Sequence, residues 1–487
     1  MSRLANQKPA LLWKHFEALS AIPRVSSNET AAGDYVVTQA KLLGLEWLRD
    51  GAGNVLVKKP ARPGCEKLAH VILQSHLDMV GDKREGSPHD FSKDPIKLIV
   101  EDGWLHADGT TLGADNGIGV SASLAILEST DLPHGPLSAL FTVEEEIGLL
   151  GAAKVPKDFL QGDALINIDG DTPFELTIGC AGAMDLRIDF PVEREPLQLG
   201  WSSHNLTLGG LQGGHSGGDI HRGRGNALRL LARLLDEAGA HLSWRLVSFA
   251  GGAARNAIPR DAQAVFVLRD DHFAQYKTQL ETSFQRIKNE LAIADPQVAL
   301  SLTQAAVPSA PLNQTSTLRL ITFLRACPLG VIRNSDLHAN VVETSGNLGI
   351  FNLHPSGLNA QAQLLLRSLV DSAKQDLGES ISLLARLAGG LPVVHGDYPG
   401  WAPDRQSKLA PLFARITQEV TGKTPQIAVI HAGLECGILR ALNPRLDCIS
   451  CGSLIEGMHS PKERVNLQSV EQVFEIVCRS LTQIRGV

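Results

Sequence analysis

In the N-terminal part of the chain, apolar residues come in short runs that break at polar or glycine-rich segments. Val71–Leu73, Ala139–Val143 and Ala164–Ile168 each predict a short buried strand. Ile118–Leu127 predicts a helix that follows the glycine-rich turn Leu112–Gly117. Near the start, Leu11, Leu12, Phe16 and Leu19 repeat at helical spacing with Lys14, His15 and Glu17 between them, which predicts an amphipathic helix. Strand and helix alternate, so this region predicts a mostly parallel sheet with helices on its faces.

Beyond it the pattern changes. Leu186-Arg187-Ile188-Asp189-Phe190 alternates apolar and charged residues, as a half-exposed strand does. Leu206–Leu208 and Ala264–Leu268 are also strand-like, and Asn226–Ala238 places Leu228, Leu231, Leu234 and Leu235 on one face of a helix. One-sided strands with amphipathic helices predict an α+β domain, ending near Gly389-Gly390-Leu391-Pro392. The earlier alternation then resumes, with helices over Leu409–Val420 and Val470–Leu481 and strands over Gln426–Ile430 and Leu446–Ser450. The predicted class is α/β. A discontinuous domain built from residues 1–188 and 391–487 is interrupted by an inserted α+β domain over 189–390.

The length of 487 residues suits two or three domains, and 43% hydrophobic residues supply a sizeable core. A net charge of -7 gives no electrostatic ground for nucleic acid or an anionic membrane as partner. Seven scattered cysteines form no disulfide pattern, which points to a reducing compartment. Cys448-Ile449-Ser450-Cys451 has redox-like spacing, but it lies on a predicted strand without a second pair and reads as inert. The N-terminal helix lacks a signal-peptide core and no run approaches ~18 apolar residues, so a cytoplasmic protein without a membrane-spanning helix is expected.

Five acidic and histidine signatures add chemistry: His76-Leu77-Asp78, Asp115-Asn116-Gly117, Glu144-Glu145-Glu146, Asp169-Gly170-Asp171 and His459-Ser460-Pro461. Each has an ordinary explanation alone. A His-x-Asp pair arises by chance, Asp115 suits a turn and helix N-cap, three glutamates suit a solvated loop, and Asp169 and His459 suit turns. Three of the five, however, follow predicted strands, and ligands of open α/β sheets gather at the carboxyl ends of strands. His76 and Asp78 point the same way on an extended segment, so one can ligate a metal while the other orients it. Asp115 in its turn can bridge two metals. Among adjacent glutamates, one can bind metal while its neighbour takes a proton from water. Imidazole and carboxylate together suit zinc and other divalent ions. Gly213–Gly218 surrounds His215 without the Lys-Ser/Thr ending of a phosphate loop; it reads as a flexible turn or as the carrier of a polar group to substrate.

Ser75–Val80, Leu112–Gly117, Phe141–Gly148, Gly210–Gly218, Asn256–Arg260, His431–Gly437 and His459–Pro461 together resemble the M20 family of metallopeptidases, most of all its aminoacyl-histidine dipeptidases. The resemblance spans essentially the whole chain. It implies a zinc-peptidase-like catalytic domain with a mostly parallel sheet, interrupted by a lid domain. It implies that His76 and Asp169 hold one zinc, that Glu146 and His459 hold another, and that Asp115 bridges them. Glu145 is the implied general base and Asp78 the residue that orients His76. The family often has Asp where this chain has Glu144, a change of little expected effect. In the lid, His215 resembles the histidine that polarises the scissile carbonyl. Asn256 and Arg367 resemble substrate-binding residues, with Arg367 facing the peptide carboxylate, and Glu435 is the implied receptor of the free amino terminus.

The implied cofactors are two Zn2+ per subunit, with Co2+ or Mn2+ as substitutes. The implied partner is a small peptide, and the implied assembly a homodimer through the lid, with the subunit served by His215 left open. The expectation is a two-metal dipeptidase that cleaves unblocked dipeptides, Xaa-His and carnosine among them. An M20-type N-acyl-amino-acid deacylase is the alternative. A non-catalytic metal-binding protein is a third reading, which the intact Glu145 disfavours.

Overall fold

The computed structural model describes residues 4–306, 310–336 and 338–485. The chain forms two units. The first comprises Met1–Cys180, Trp401–Val429 and Leu434–Val487, and the second comprises Ala181–Gly400 and Ile430–Gly433.

The first unit is built on an eight-stranded sheet. Its order is Glu46–Arg49, Val55–Lys59, Leu137–Thr142, Val71–His76, Ala164–Gly170, Asp447–Gly452, Glu175–Cys180 and Gln426–Ile430. Leu137–Thr142, Val71–His76, Ala164–Gly170 and Asp447–Gly452 run parallel, and antiparallel strands flank them. Every residue of Val71–His76 and Leu137–Thr142 is buried, because parallel strands are covered on both faces. Helix Ala114–Glu128 is one cover. It consists almost wholly of small and aliphatic residues and buries nearly all of them. Gly119 permits its close approach to the sheet, since a β-carbon there would sit 2.5 Å from Ile168 O. The N-terminal helix Ala10–Ser20 packs on it with Leu12, Trp13, Phe16 and Leu19 buried.

The second unit is built on a nine-stranded antiparallel sheet. Burial alternates along Gly182–Pro191, as in a sheet with one face on the core and one in water. Helix Ala227–Ala238 covers the core face with Leu228, Leu231, Leu234 and Leu235 buried, and the Asn226 side chain caps it by accepting from the Leu228 and Arg229 amides. Among the described residues no helix is long and apolar enough to cross a membrane.

The unit boundaries fall at Cys180/Ala181 and Gly400/Trp401 rather than after residues 188 and 390. Gly182–Pro191 is one continuous strand of the second sheet, and Leu391–Tyr398 pairs antiparallel with it. Residues Ile430–Gly433 return to the second unit, where the Ala181 amide lies within reach of the carbonyls of Ile430 and Ala432.

Candidate metal centre

Leu137–Thr142, Val71–His76 and Ala164–Gly170 are parallel neighbours, so their carboxyl ends open on one side of the first unit. His76 ends its strand, Asp169 is next to last in its own, and Glu145 and Glu146 follow Thr142. Asp115 sits at the start of Ala114–Glu128, where its own dihedrals and those of Asn116 are not helical. His459 comes from the loop between Ile455–Glu456 and Arg464–Asn466, with φ 60°.

Asp115 stands between two groups. Its Oδ1 lies 3.1 Å from His76 Nε2, which is 3.2 Å from Asp169 Oδ1. Its Oδ2 lies 3.2 Å from His459 Nε2, which is 3.1 Å from Glu146 Oε2. One carboxylate therefore shares its two oxygens between two imidazole–carboxylate pairs. Donor atoms of His76, Asp115 and Glu146 fall within 4.8 Å of one another.

These residues fit divalent cations. Glu146 Oε1 is buried and receives no hydrogen bond, a costly state that a cation relieves. Imidazole with carboxylate is a donor set of zinc and its divalent neighbours. Burial opposes charge on His76, but Asp169, Asp115 and Asp78 outweigh it and hold its pKa well above 6.5. Contacts with Asp115 and Glu146 raise His459 to about 10. Positive charge is thus favoured where the carboxylates converge.

Burial raises Asp169 to about 6. It also raises Glu145 well above 4.5, with the charges of Asp169, Glu435 and Glu146 adding to the effect. A carboxyl so placed has the proton affinity that a general base needs. Asp78 runs the other way. Despite burial, His76, the Glu145 amide and Ser26 hold it down to about 2. Its Oδ1 lies 3.4 Å from His76 Nδ1 and accepts from the Glu145 amide at 3.1 Å, and its Oδ2 accepts from the Glu146 amide at 3.1 Å. One buried carboxylate thus lies beside the imidazole and accepts from two amides of the glutamate loop, while the Asp78 carbonyl stands 3.2 Å from His76 Nδ1. Glu144 turns instead to Ser27 and Lys154.

Two residues passed over in the sequence join the loops. Buried Arg24 donates from Nη1 to Leu77 O at 2.8 Å and Asp78 O at 3.1 Å, and from Nη2 to Gly113 O. Buried Glu463 accepts from the amides of Leu112, Gly113 and Ala114 at 2.7, 3.0 and 2.8 Å. Arg24 ties the His76 loop to the Asp115 turn, and Glu463 ties that turn to the His459 loop. No motif marks either residue, because their partners are backbone atoms distant in sequence.

The second unit gathers His215, Asn256 and Arg367. His215 pairs with Ala257 in a short ribbon, and the neighbouring Asn256 carbonyl accepts from the Ser216 amide at 2.8 Å. His215 Nδ1 accepts from the Gly217 and Gly218 amides at 3.3 and 3.0 Å. Its Nε2 must therefore carry the hydrogen. Burial, then Arg367, lowers its pKa and keeps it neutral. Arg367 is buried with no partner at Nε. His431, which carried no assigned role, bonds Ser345 Oγ at 2.7 Å, and burial followed by the Arg367 charge drives it down to about 3.

Glu435 lies in the first unit at the start of helix Glu435–Leu442, 0% exposed. Its Oε2 accepts from Thr142 Oγ1 at 2.7 Å and from Gln74 Nε2. Cys448 and Cys451 are buried free thiols raised to about 12 by burial, hence inert.

Residues 72–483 match the profile of peptidase family M20/M25/M40. The chain is 42% identical over 484 residues to the cytosol non-specific dipeptidase of Escherichia coli (strain K12), covering 99% of each. The crystal structure of aminoacylhistidine dipeptidase from Vibrio alginolyticus aligns with a TM-score of 0.92 at 38% identity, over 100% of this chain and 99% of that one. Aminopeptidase PepT from Bacillus cereus shares the fold, with a TM-score of 0.57 at 15% identity over 98% of this chain and 99% of that one. The mixed sheet, the inserted antiparallel domain and the match along nearly the whole chain agree, and the chain belongs to peptidase family M20/M25/M40.

Proposed function

We propose that this chain is a two-metal dipeptidase that hydrolyses unblocked dipeptides, Xaa-His and carnosine among them. The observation that carries the reading is the sharing of Asp115 between His76–Asp169 and His459–Glu146, with Glu145 adjacent. The dipeptidase names of the relatives from Escherichia coli and Vibrio alginolyticus support it. His76, Asp169, Glu146 and His459 would hold two Zn2+, with Asp115 between them and Co2+ or Mn2+ as substitutes. Such a pair, when bound, supplies Lewis acidity and lowers the pKa of water to about 7.

The protein residues do the rest. Glu145 takes the proton of the attacking water and passes it to the leaving amine. Asp78 holds His76 and the Glu145 loop in register. His215 offers its Nε2 hydrogen to the scissile carbonyl as charge builds on oxygen. Arg367 pairs with the terminal carboxylate, and Asn256 holds the peptide beside it. The reading includes a homodimer through the second unit; a monomer in analytical ultracentrifugation removes that part.

The test is hydrolysis of carnosine and a dipeptide panel by chelator-stripped protein, with metal restored. Metal-dependent cleavage of free but not N-acetylated dipeptides is expected. Cleavage of N-acyl amino acids instead makes the chain a deacylase, and no cleavage at full metal occupancy rejects an enzymatic role.

A further inference from the structure

We propose that Glu435 is a positioning residue of the metal centre, a buried carboxylate held by a ladder of donors, and that its negative charge strengthens cation binding. This rests on the two-metal reading. Ser450 Oγ donates to Asn167 Oδ1 at 2.6 Å, and Asn167 Nδ2 donates to Gln74 Oε1 at 2.6 Å. Gln74 Nε2 and Thr142 Oγ1 then donate to Glu435 Oε2. The four donors stand on Asp447–Gly452, Ala164–Gly170, Val71–His76 and Leu137–Thr142, consecutive strands of the sheet. None of the five side chains is more than 2% exposed.

The ladder has a direction. Each member gives a hydrogen to the next, and the chain ends on a group that only accepts. Aligned bonds of this kind polarise and strengthen one another. Two donors converge on a single oxygen, Oε2, whose two lone pairs accept them. Gln74 precedes His76 by two residues and Asn167 precedes Asp169 by two, so the ladder occupies the layer directly beneath two proposed ligands on the same face.

Glu435 Oε1, by contrast, is buried without a partner. Its charge acts on His76, Asp169 and Glu145. The two imidazole–carboxylate pairs and Asp115 already supply the cation ligands. A substrate amine cannot reach Oε1 in this conformation, since the atom is closed to solvent. What remains is a carboxyl behind the ligands, raised to about 7 by burial, whose negative form bound cations would favour and which would in turn favour them.

The experiment uses the full chain with Glu435→Gln, which keeps the shape and removes the charge. Apo protein is titrated with Zn2+ against a chromogenic chelator, beside the apo Tm and kinetics on free and N-acetylated dipeptides. Both sites should still fill, about 10–100-fold more weakly, while the apo Tm is not lowered. Unchanged metal affinity overturns the proposal. If KM for unblocked dipeptides alone rises at unchanged affinity, Glu435 is the amine receptor instead. A fall in apo Tm without an affinity change makes it purely structural. Ser450→Ala, at the far end of the ladder, should weaken binding in the same direction but less. Should Glu435→Gln not fold, wild-type affinity in Ser450→Ala overturns the proposal. If the wild-type chain itself binds no pair of metals, the two-metal reading fails first.

Discussion

At the scale of single residues, His215 carries its chemistry in its tautomer. Two backbone amides occupy Nδ1, so the ring offers a donor at Nε2 without needing a positive charge. His215→Ala should lower kcat about 10²–10³-fold and leave metal content intact, read by steady-state kinetics and metal analysis; lost metal would place the ring among the ligands. Glu145→Gln should keep both metals and lose about 10²–10⁴-fold in kcat, and normal turnover in the loaded variant rejects the base assignment. His431 sets a pH dependence. Free imidazole protonates below 6.5, but buried His431 resists until about 3. Between those values the unfolded chain binds the extra proton, so this contribution to stability is complete above 6.5 and is lost as pH falls toward 3. His431→Gln should flatten the fall in Tm from about pH 7 to about pH 5; an equal fall in both proteins denies the effect. The proposed ligands were legible in the sequence only as a set: each signature has an ordinary explanation alone, but three of the five follow predicted strands, where ligands of open α/β sheets gather. Arg24, Glu463 and the Gln74–Asn167–Ser450 ladder were not legible, because their meaning lies in partners that only folding brings together.

At the scale of elements, period and length carried the core strands. Val71–Leu73 and Ala139–Phe141 are apolar runs inside the strands Val71–His76 and Leu137–Thr142, both of whose faces are covered. The expected end of the inserted domain near Gly389-Gly390 and the unit boundary at Gly400 differ for a local reason. Gly389-Gly390 has the composition of a linker, yet it closes helix Asp371–Leu387. The Gly389 amide bonds Arg386 O, the Gly390 amide bonds Ala385 O, and Gly389 takes φ 79°. The chain then enters Leu391–Tyr398 rather than leaving the unit. Helix Ala114–Glu128 depends on another glycine. A methyl at Gly119 would meet Asn116 Oδ1 at 2.2 Å and Ile168 O at 2.5 Å, and Asn116 Nδ2 holds that same carbonyl at 2.7 Å. Gly119→Ala should cost about 1–3 kcal/mol and weaken metal binding by shifting Asp115. Denaturant melts and chelator competition measure both, and wild-type values in each refute the packing argument.

At the scale of the molecule, all the proposed metal ligands belong to the first unit. Cations that bind the folded state stabilise it by about 2.7 kcal/mol at a hundred times Kd. Chelation should therefore speed hydrogen exchange in Val71–His76 and Ala164–Gly170 while leaving Ala262–Arg269 of the second unit unchanged. Equal acceleration in both units would show that they unfold as one. The interleaving of the chain also orders its birth. Asp447–Gly452 fits between Ala164–Gly170 and Glu175–Cys180, and His459 follows it. On the ribosome, the antiparallel sheet of the second unit is written before this segment exists. Until it emerges, Ala164–Gly170 has an open edge at the middle of its sheet, and the proposed metal centre lacks His459. A chain broken off before residue 447 therefore carries most of the mass but lacks His459 and a central strand of the first sheet, and under the two-metal reading it should hydrolyse no dipeptide.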